Sequence, residues 1–401
     1  MRVRFSLDPL FMYLDSPESS FLNTFLKNRG TLFSRFWKIV ILCFNVFEKS
    51  WYFVLTILEN LGTLKLPLLQ TLSIALCTYN GSKFLREQLQ SLANQTLQPF
   101  EVVIADDCST DETLSIIHEF DNILNIKVFI NETPLKVTKN FEKAVSLCSG
   151  EIILMCDQDD IWHEDKLAKI SQYFQENPTQ LAVFSDANLV DEQGISLNKN
   201  FWSAVRFLEP QIQQFKDRNV VELLLAGNRT AGCMMAFRKE LVAKIIPFPT
   251  HIPLMIHDNW ITIVVAMLDS LGIIEEKLIS YRQHNLQQIG TRAKEVGKTI
   301  SLKDRFSRPR NEKLAPFLEK RDYFCVLKDA LLERIDSSNH NFKHFDNIIN
   351  YYETRGTLSP FQLARLFPVL NLLLKGDYQR YKDQEASWKA PFVAALGDLL
   401  E

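Results

Sequence analysis

Disulfide and zinc patterns are missing from this 401-residue chain: its seven cysteines (43, 77, 108, 148, 156, 233 and 325) stand singly, with no C-x-x-C pair. An odd, dispersed set excludes a disulfide framework and a zinc clip, and it indicates reduced thiols in a cytoplasmic setting. Long apolar runs are missing too. The nearest approach, residues 36–58, is cut by Glu48-Lys49, whereas a spanning helix needs about 20 mostly apolar residues. That stretch is expected to pack as helices on the rest of the chain or to lie at a bilayer interface. No clean secretory signal opens the chain, because Asp8 and Asp15 interrupt its first residues. A strong charge of one sign is also absent. With 45 Lys and Arg against 48 Asp and Glu the net charge is -3, which excludes a nucleic-acid binder driven by bulk electrostatics. There is no G-x-G-x-x-G after the first apolar run, so a dinucleotide oxidoreductase is disfavoured. Internal repeats and low-complexity tracts are lacking as well.

What is present is a large core. Hydrophobic residues make up 46% of the chain and charged residues 23%, enough to bury more than one domain. Three regions follow from the pattern: an apolar, helical N-terminal extension (1–70), a strand-and-helix domain (71–290), and a basic loop followed by a helical C-terminal region (291–401). Within the middle region, apolar runs at 72–77, 102–105, 126–130, 152–156 and 182–185 read as strands. Between them, Leu85-Leu89-Leu92, Leu114-Ile117-Phe120, Phe141-Ala144-Val145-Cys148 and Leu167-Ile170-Phe174 fall at helical spacing. Residues 230–237 read as a further strand containing Gly232, 258–271 as a helix, and 273–281 as a strand. Strands alternating with helices predict an α/β fold with a mostly parallel central sheet covered on both faces. In such sheets ligands bind at the carboxyl ends of the strands. The polar clusters fall at those ends: residues 78–81, 106–111, 157–160 and Asp186. That coincidence points to one site.

Two carboxylates one residue apart, Asp157 and Asp159, can reach the same hard cation, and oxygen ligands suit Mg²⁺ or Mn²⁺. Such an ion commonly bridges to substrate phosphates. Taken alone, Asp157-Gln158-Asp159-Asp160 reads equally as a solvated turn ahead of a helix. Order and context break the tie. The segments 72–81 (LSIALCTYNG), 103–111 (VIADDCSTD) and 153–162 (ILMCDQDDIW) together resemble the GT-A-fold family 2 glycosyltransferases, most closely rhamnosyltransferase-like members that build bacterial surface polysaccharides. The resemblance runs from about residue 71 to residue 290.

It implies a Rossmann-like GT-A domain with helical N- and C-terminal extensions. The implied activity is an inverting, metal-dependent transfer of a sugar, rhamnose among the candidates, from a nucleoside-diphosphate donor to a hydroxyl of a growing glycan or lipid-linked acceptor. By the same resemblance Thr78, Tyr79 and Asn80 line the nucleotide. Asp107 faces the base with Asp106 beside it. Asp159 ligates the metal with Asp157 in support, and Asp160 caps the following helix. Asp258, in His257-Asp258-Asn259-Trp260, takes the place of the catalytic base. His257 departs from the family's usual Glu there. A carboxylate in a helix's first turn is expected to stay ionised. Gly232 allows close approach of the donor or acceptor, Arg282 or His284 meets the diphosphate, and Trp260 walls the acceptor.

The basic stretch from Arg292 to Arg310 reads as a surface loop running to about residue 320. A second reading has it close over the donor or dock on an anionic inner membrane. The expected location is therefore cytoplasmic, peripheral at the membrane's inner face. Two alternatives stand beside the enzyme. An aspartate-nucleophile phosphatase is disfavoured because Ile161 and Trp162 follow the acidic motif. A non-catalytic sugar-nucleotide-binding or scaffold protein is disfavoured by the complete acidic set.

Overall fold

Three apolar strands with no polar face dominate the centre of the molecule. In the computed structural model, β1 (Leu72–Thr78), β2 (Glu101–Asp106) and β4 (Ile152–Cys156) are buried almost throughout, as parallel strands covered on both faces must be. The structure describes residues 70–285, 309–382 and 388–400. Residues 36–58 lie outside this set, so the expectation placed on them is not addressed. Among the described residues no helix is long and apolar enough to cross a membrane.

Among the described residues nine strands form one mixed sheet of order β3-β2-β1-β4-β8-β6-β9-β5, with β7 pairing β6. β3 (Ile126–Ile130), β2, β1 and β4 run parallel in register. Helices α1 (Leu85–Ala93), α2 (Thr113–His118) and α3 (Lys136–Leu147) connect them. The second half is different. β5 (Ile161–Trp162) leads into α4 (Lys166–Glu176) and the nine-residue β6 (Ala182–Val190), which pairs parallel with β9 (Leu271–Arg282) and antiparallel with β7 (Ser196–Asn200) and β8 (Met235–Arg238). Short helices α5 (Phe201–Ala204), α6 (Glu209–Lys216), α7 (Val220–Leu225) and α8 (Val242–Ile245) fill the connections, and α9 (His257–Met267) precedes β9.

Several expectations change here. β6 does not stop at Ser185. Asp186 lies mid-strand, buried, accepting from Asn200 Nδ2 and the Ala187 and Trp202 amides (2.5, 2.8 and 2.9 Å), so it marks no strand end. Gly232 is not in a strand. Gly232–Met234 form a single 3₁₀ turn before the short β8, which sits centrally between β4 and β6 rather than at an edge. Residues 310–320 are helix, not loop: α10 (Arg310–Leu332) starts at once after Pro309. It packs on α11 (Phe342–Gly356), and α12 (Gln362–Leu374), α13 (Asp377–Arg380) and α14 (Ala390–Leu400) follow.

Candidate active site

The loops leaving β1, β2 and β4 are sewn to one another. Gln158 holds the loop after β1 from both sides, its Oε1 accepting from the Tyr79 amide (2.8 Å) and its Nε2 donating to the Tyr79 carbonyl (3.1 Å). Asn80, in the left-handed region at φ 45, donates its amide to Ser109 Oγ and accepts from the Thr110 amide (both 2.9 Å). The Gly81 amide reaches Thr113 Oγ1 and the Ser82 amide reaches Asp111. A Cβ on Gly81 would stand 2.3 Å from Gln158 Oε1, so any side chain there would push the Gln158 amide off its bonds to Tyr79. These loops form one wall of a cleft of about 390 Å³, whose lining includes Thr78, Tyr79, Asn80, Asp107, Asp157, Asp159, Gly232, Asp258 and His284.

Three expected site residues do not line it. Asp106 is buried behind the wall, accepting from Thr78 Oγ1 (2.7 Å) and the Ser109 amide (2.8 Å). Trp260 is 1% exposed and donates its indole N–H to the Ile245 carbonyl (2.8 Å). Its ring prefers the core to an acceptor wall. The Arg282 guanidinium is buried beneath the acidic loop, donating to the Asp159 and Glu192 carbonyls (2.8 and 2.7 Å) and pairing with Glu87. It braces Asp159 from behind instead of facing the cleft. Asp107 does line the cleft, yet its carboxylate already accepts from Asn131 Nδ2 and the Leu135 and Lys136 amides (2.7, 2.6 and 2.9 Å).

The acidic loop divides its labour. Asp160 caps no helix, since α4 begins six residues later. It is fully buried and accepts the Arg282 amide (3.0 Å), while its second oxygen has no partner. Burial and then the neighbouring Asp159 and Asp157 charges push its carboxyl well up. Asp157, Asp160 and Cys233 present ligand atoms within 4.8 Å of one another. The fully buried Lys166 ammonium, donating to the Cys233 carbonyl (2.7 Å), already faces that cluster, so it is not where a cation fits. Burial drops Lys166 to about 8, with Cys233, Cys156, Asp160 and Asp157 pulling the other way. On the cleft side the donor set does suit a hard divalent ion. Asp157 is pushed up to about 7 by desolvation and then by Asp159, the mark of two anions held together with too little compensating charge. Asp159 Oδ2 lies 2.8 Å from His284 Nε2, and His284 packs on Phe84 (4.6 Å between ring centroids).

Across the cleft stands Asp258 in the first turn of α9. Its oxygens meet the Asn259 amide (2.6 Å) and Asn228 Nδ2 (3.4 Å), with the Gly232 amide also directed at it. The helix-dipole expectation fails here. Asp258 is 5% exposed, and desolvation outweighs these bonds and raises it to about 7. Beside it His257 was without an assigned role in the sequence. It is buried, pushed down to about 3 by desolvation and hence neutral, with Nδ1 unpartnered. Its ring packs against Phe141, tilted by 33° with 4.4 Å between centroids. A Cβ on Gly232 would lie 2.9 Å from His257 Nε2 and 2.7 Å from Met155 Cε, so this glycine is demanded by close packing under Asp258. Lys166 and Asn228 are not singled out by the sequence, and Gln158 enters there only as part of the acidic motif, with no role; of the first two, only the buried lysine carries a signal, an apolar-face position on α4.

Comparison with known proteins bears on this cleft. Residues 73–246 match the model of Glycosyl transferase family 2. Poly(ribitol-phosphate) beta-N-acetylglucosaminyltransferase TarS of Staphylococcus aureus is 35% identical over 127 residues, 31% of this chain and 21% of TarS. The dTDP-rhamnosyl transferase RfbG of Shigella flexneri is 28% identical over 250 residues, 58% of this chain and 77% of RfbG. An uncharacterised Mycobacterium tuberculosis protein is 28% identical over 219 residues, 53% of this chain and 59% of that one. The chain thus spans about three fifths of the mycobacterial relative and one fifth of TarS. The crystal structure of TarS 1–349 with UDP-GlcNAc aligns at a TM-score of 0.45 and 19% identity, covering 78% of this chain and 89% of that one. Residues 73–246, with the D-Q-D-D loop at their centre, are thus the part of the chain that is similar to glycosyl transferase family 2.

Proposed function

We propose that the protein transfers a sugar, with inversion, from a nucleoside-diphosphate donor to a hydroxyl of a glycan or lipid-linked acceptor in surface polysaccharide synthesis. The observation that carries this reading is the pairing, in one cleft, of the Asp157–Asp159 oxygens with a buried carboxylate, Asp258, whose proton affinity is set near neutrality. A general base works best with a pKa near the working pH. Asp258 takes the proton of the acceptor hydroxyl as its oxygen attacks the anomeric carbon. The bond from that carbon to the diphosphate breaks, and the electron pair leaves with the phosphate oxygen. Mg²⁺ or Mn²⁺, when held by Asp159 and Asp157, neutralises charge on the diphosphate. His284, beside Asp159, orients that carboxylate and adds a donor on the same side. The stitched loop of Thr78, Tyr79 and Asn80 supports the nucleoside, with half-exposed Tyr79 offering a ring to the base.

Relatives named for dTDP-rhamnose and for N-acetylglucosamine transfer frame the donor choice, and rhamnose is the first to test. Donor-induced thermal shift with Mn²⁺, across dTDP-rhamnose, UDP-GlcNAc, UDP-glucose and UDP-galactose, reads it directly. Asp159→Ala is expected to abolish the Mn²⁺-dependent part of donor binding and transfer. Full metal-dependent turnover in that variant would remove Asp159 from the metal site. Turnover on no acceptor, with donor binding intact, would instead support a binding or scaffold protein of the same fold.

A further inference from the structure

The C-terminal helices turn apolar side chains outward. On α12, Leu363, Leu366, Phe367, Leu370 and Leu374 recur every three or four residues and form one face, while Arg365, Val369 and Leu372 point inward. Leu363, Phe367 and Leu374 are 90%, 81% and 88% exposed. On α14 Phe392, Leu396 and Leu400 are exposed in the same way, with Pro391 and Ala395 buried. The helices pack on each other and are pinned where Gln362 donates to the Leu400 carbonyl (3.1 Å) and Arg365 to the Asp398 carbonyl (3.3 Å). Single exposed leucines are ordinary on a protein surface, but two adjoining apolar helix faces are not.

Charge names the occupant. Among the described residues from 357 to 400, the exposed charged side chains are Lys375, Arg380 and Lys389, and of these Arg380 is already paired with Glu222 and Asp377. The two carboxylates there are engaged inward, Asp398 by Arg355 and Tyr378, and Asp377 by Arg380. Asp383 and Glu385 fall outside the described residues. The chain outside the description also ends here. Residues 291–308 hold six Lys and Arg against two acids, and the chain returns at Arg310, whose guanidinium donates to the Leu358 carbonyl just ahead of α12. Trp388, 71% exposed at the foot of α14, has the apolar body and polar edge suited to a headgroup boundary.

We propose that the outward faces of α12 and α14 form a docking surface for an anionic lipid leaflet, apolar side chains entering the acyl boundary and the basic rim meeting headgroup phosphates. The proposal is independent of the transfer chemistry and is read by binding alone. The test is flotation of the full chain with phosphatidylcholine vesicles, with and without phosphatidylglycerol, for wild type and for Phe367→Glu/Leu374→Glu, whose exposed sites leave the melting temperature unchanged. Wild type is expected to prefer anionic vesicles by about tenfold or more, a preference reduced by salt. The double variant is expected to lose binding by about tenfold or more. Leu363→Glu should lose part of it. Absence of wild-type binding, or equal binding by the double variant, overturns the proposal. So does a dimer, seen by light scattering without vesicle binding, that the double variant converts to monomer; the face would then belong to a second copy of the chain.

Discussion

Replacing Asp258 by Asn should make the protein more stable and nearly inactive, and both effects should follow pH. The carboxyl sits at about 7 in the fold against an ordinary 3.8, a gap of about 3 pKa units at about 1.36 kcal/mol each. The raised value means the folded state holds this proton more tightly than the unfolded chain does. Below pH 4 both states are protonated and the group adds no penalty. Between pH 4 and 7 the unfolded chain releases the proton first, and stability falls. Above pH 7 the full penalty of about 4 kcal/mol remains. Asn carries no such burden, and its carbonyl still accepts the Asn259 amide. The Asp258→Asn variant should therefore exceed wild type by about 4 kcal/mol at pH 8, roughly 10 °C in melting temperature for a domain of this size. At pH 5 the excess should shrink to about 2 kcal/mol or less. Turnover should drop by about 10²–10⁴-fold, the usual share of a general base. In wild type, kcat/KM should climb tenfold per pH unit up to about 7 and then level, whereas residual activity in the variant should be flat. Denaturant unfolding at the two pH values and a transfer assay across pH 5–9 measure all of this. A variant less stable than wild type at pH 8, or one that kept near-normal turnover, would refute the argument.

Gly232→Ala places a methyl 2.9 Å from His257 Nε2 and 2.7 Å from Met155 Cε. Met155 can swing aside, but the His257 ring is boxed by Phe141, so a cost of about 1–3 kcal/mol and a fall in turnover of about tenfold are expected, checked by kcat and melting temperature together. Glu101 is a purely structural control. Burial alone would raise its carboxyl, but Lys127, Ser73 and Ser149 outweigh it and hold it at about 2. Its stabilisation is thus present above the ordinary carboxylate range and is lost as pH falls through about 2. Glu101→Gln leaves these donors underserved and should reduce stability at pH 7 by about 2–4 kcal/mol, with the KM for donor unchanged in the folded fraction.

The parallel half of the sheet was legible because its strands advertise themselves. Runs such as ILMC at β4 are apolar on both faces, and their polar ends reach the cleft by topology alone. The other half hides its signals. β6 carries Ser185, Asp186 and Asn188 inside a buried strand, tolerable only because Asn200 and the Trp202 amide, more than ten residues on, satisfy Asp186. Asp160 looked like a helix cap because its real partner, the Arg282 amide, is 122 residues away. For Asp258 the helix start at 257–260 suggests the dipole, but burial by the tertiary fold dominates and outweighs the donors Asn228 and Gly232, which the local sequence does not reveal either. Trp260 lies in the core and not at an acceptor wall, because its indole N–H finds a buried partner in the Ile245 carbonyl, 15 residues away.

The stitching of the loops after β1, β2 and β4 has a consequence for anyone altering the protein. Tyr79, Asn80 and Gly81 answer to Gln158, Ser109, Thr110 and Thr113, so no loop is an exchangeable part. Transplanting the 78–82 segment from a relative with another base preference would import a shape whose tie points stay behind, and the graft should fail unless residues 109–113 and Gln158 travel with it. Under the proposed function, base preference at this end of the cleft would be heritable only as a block.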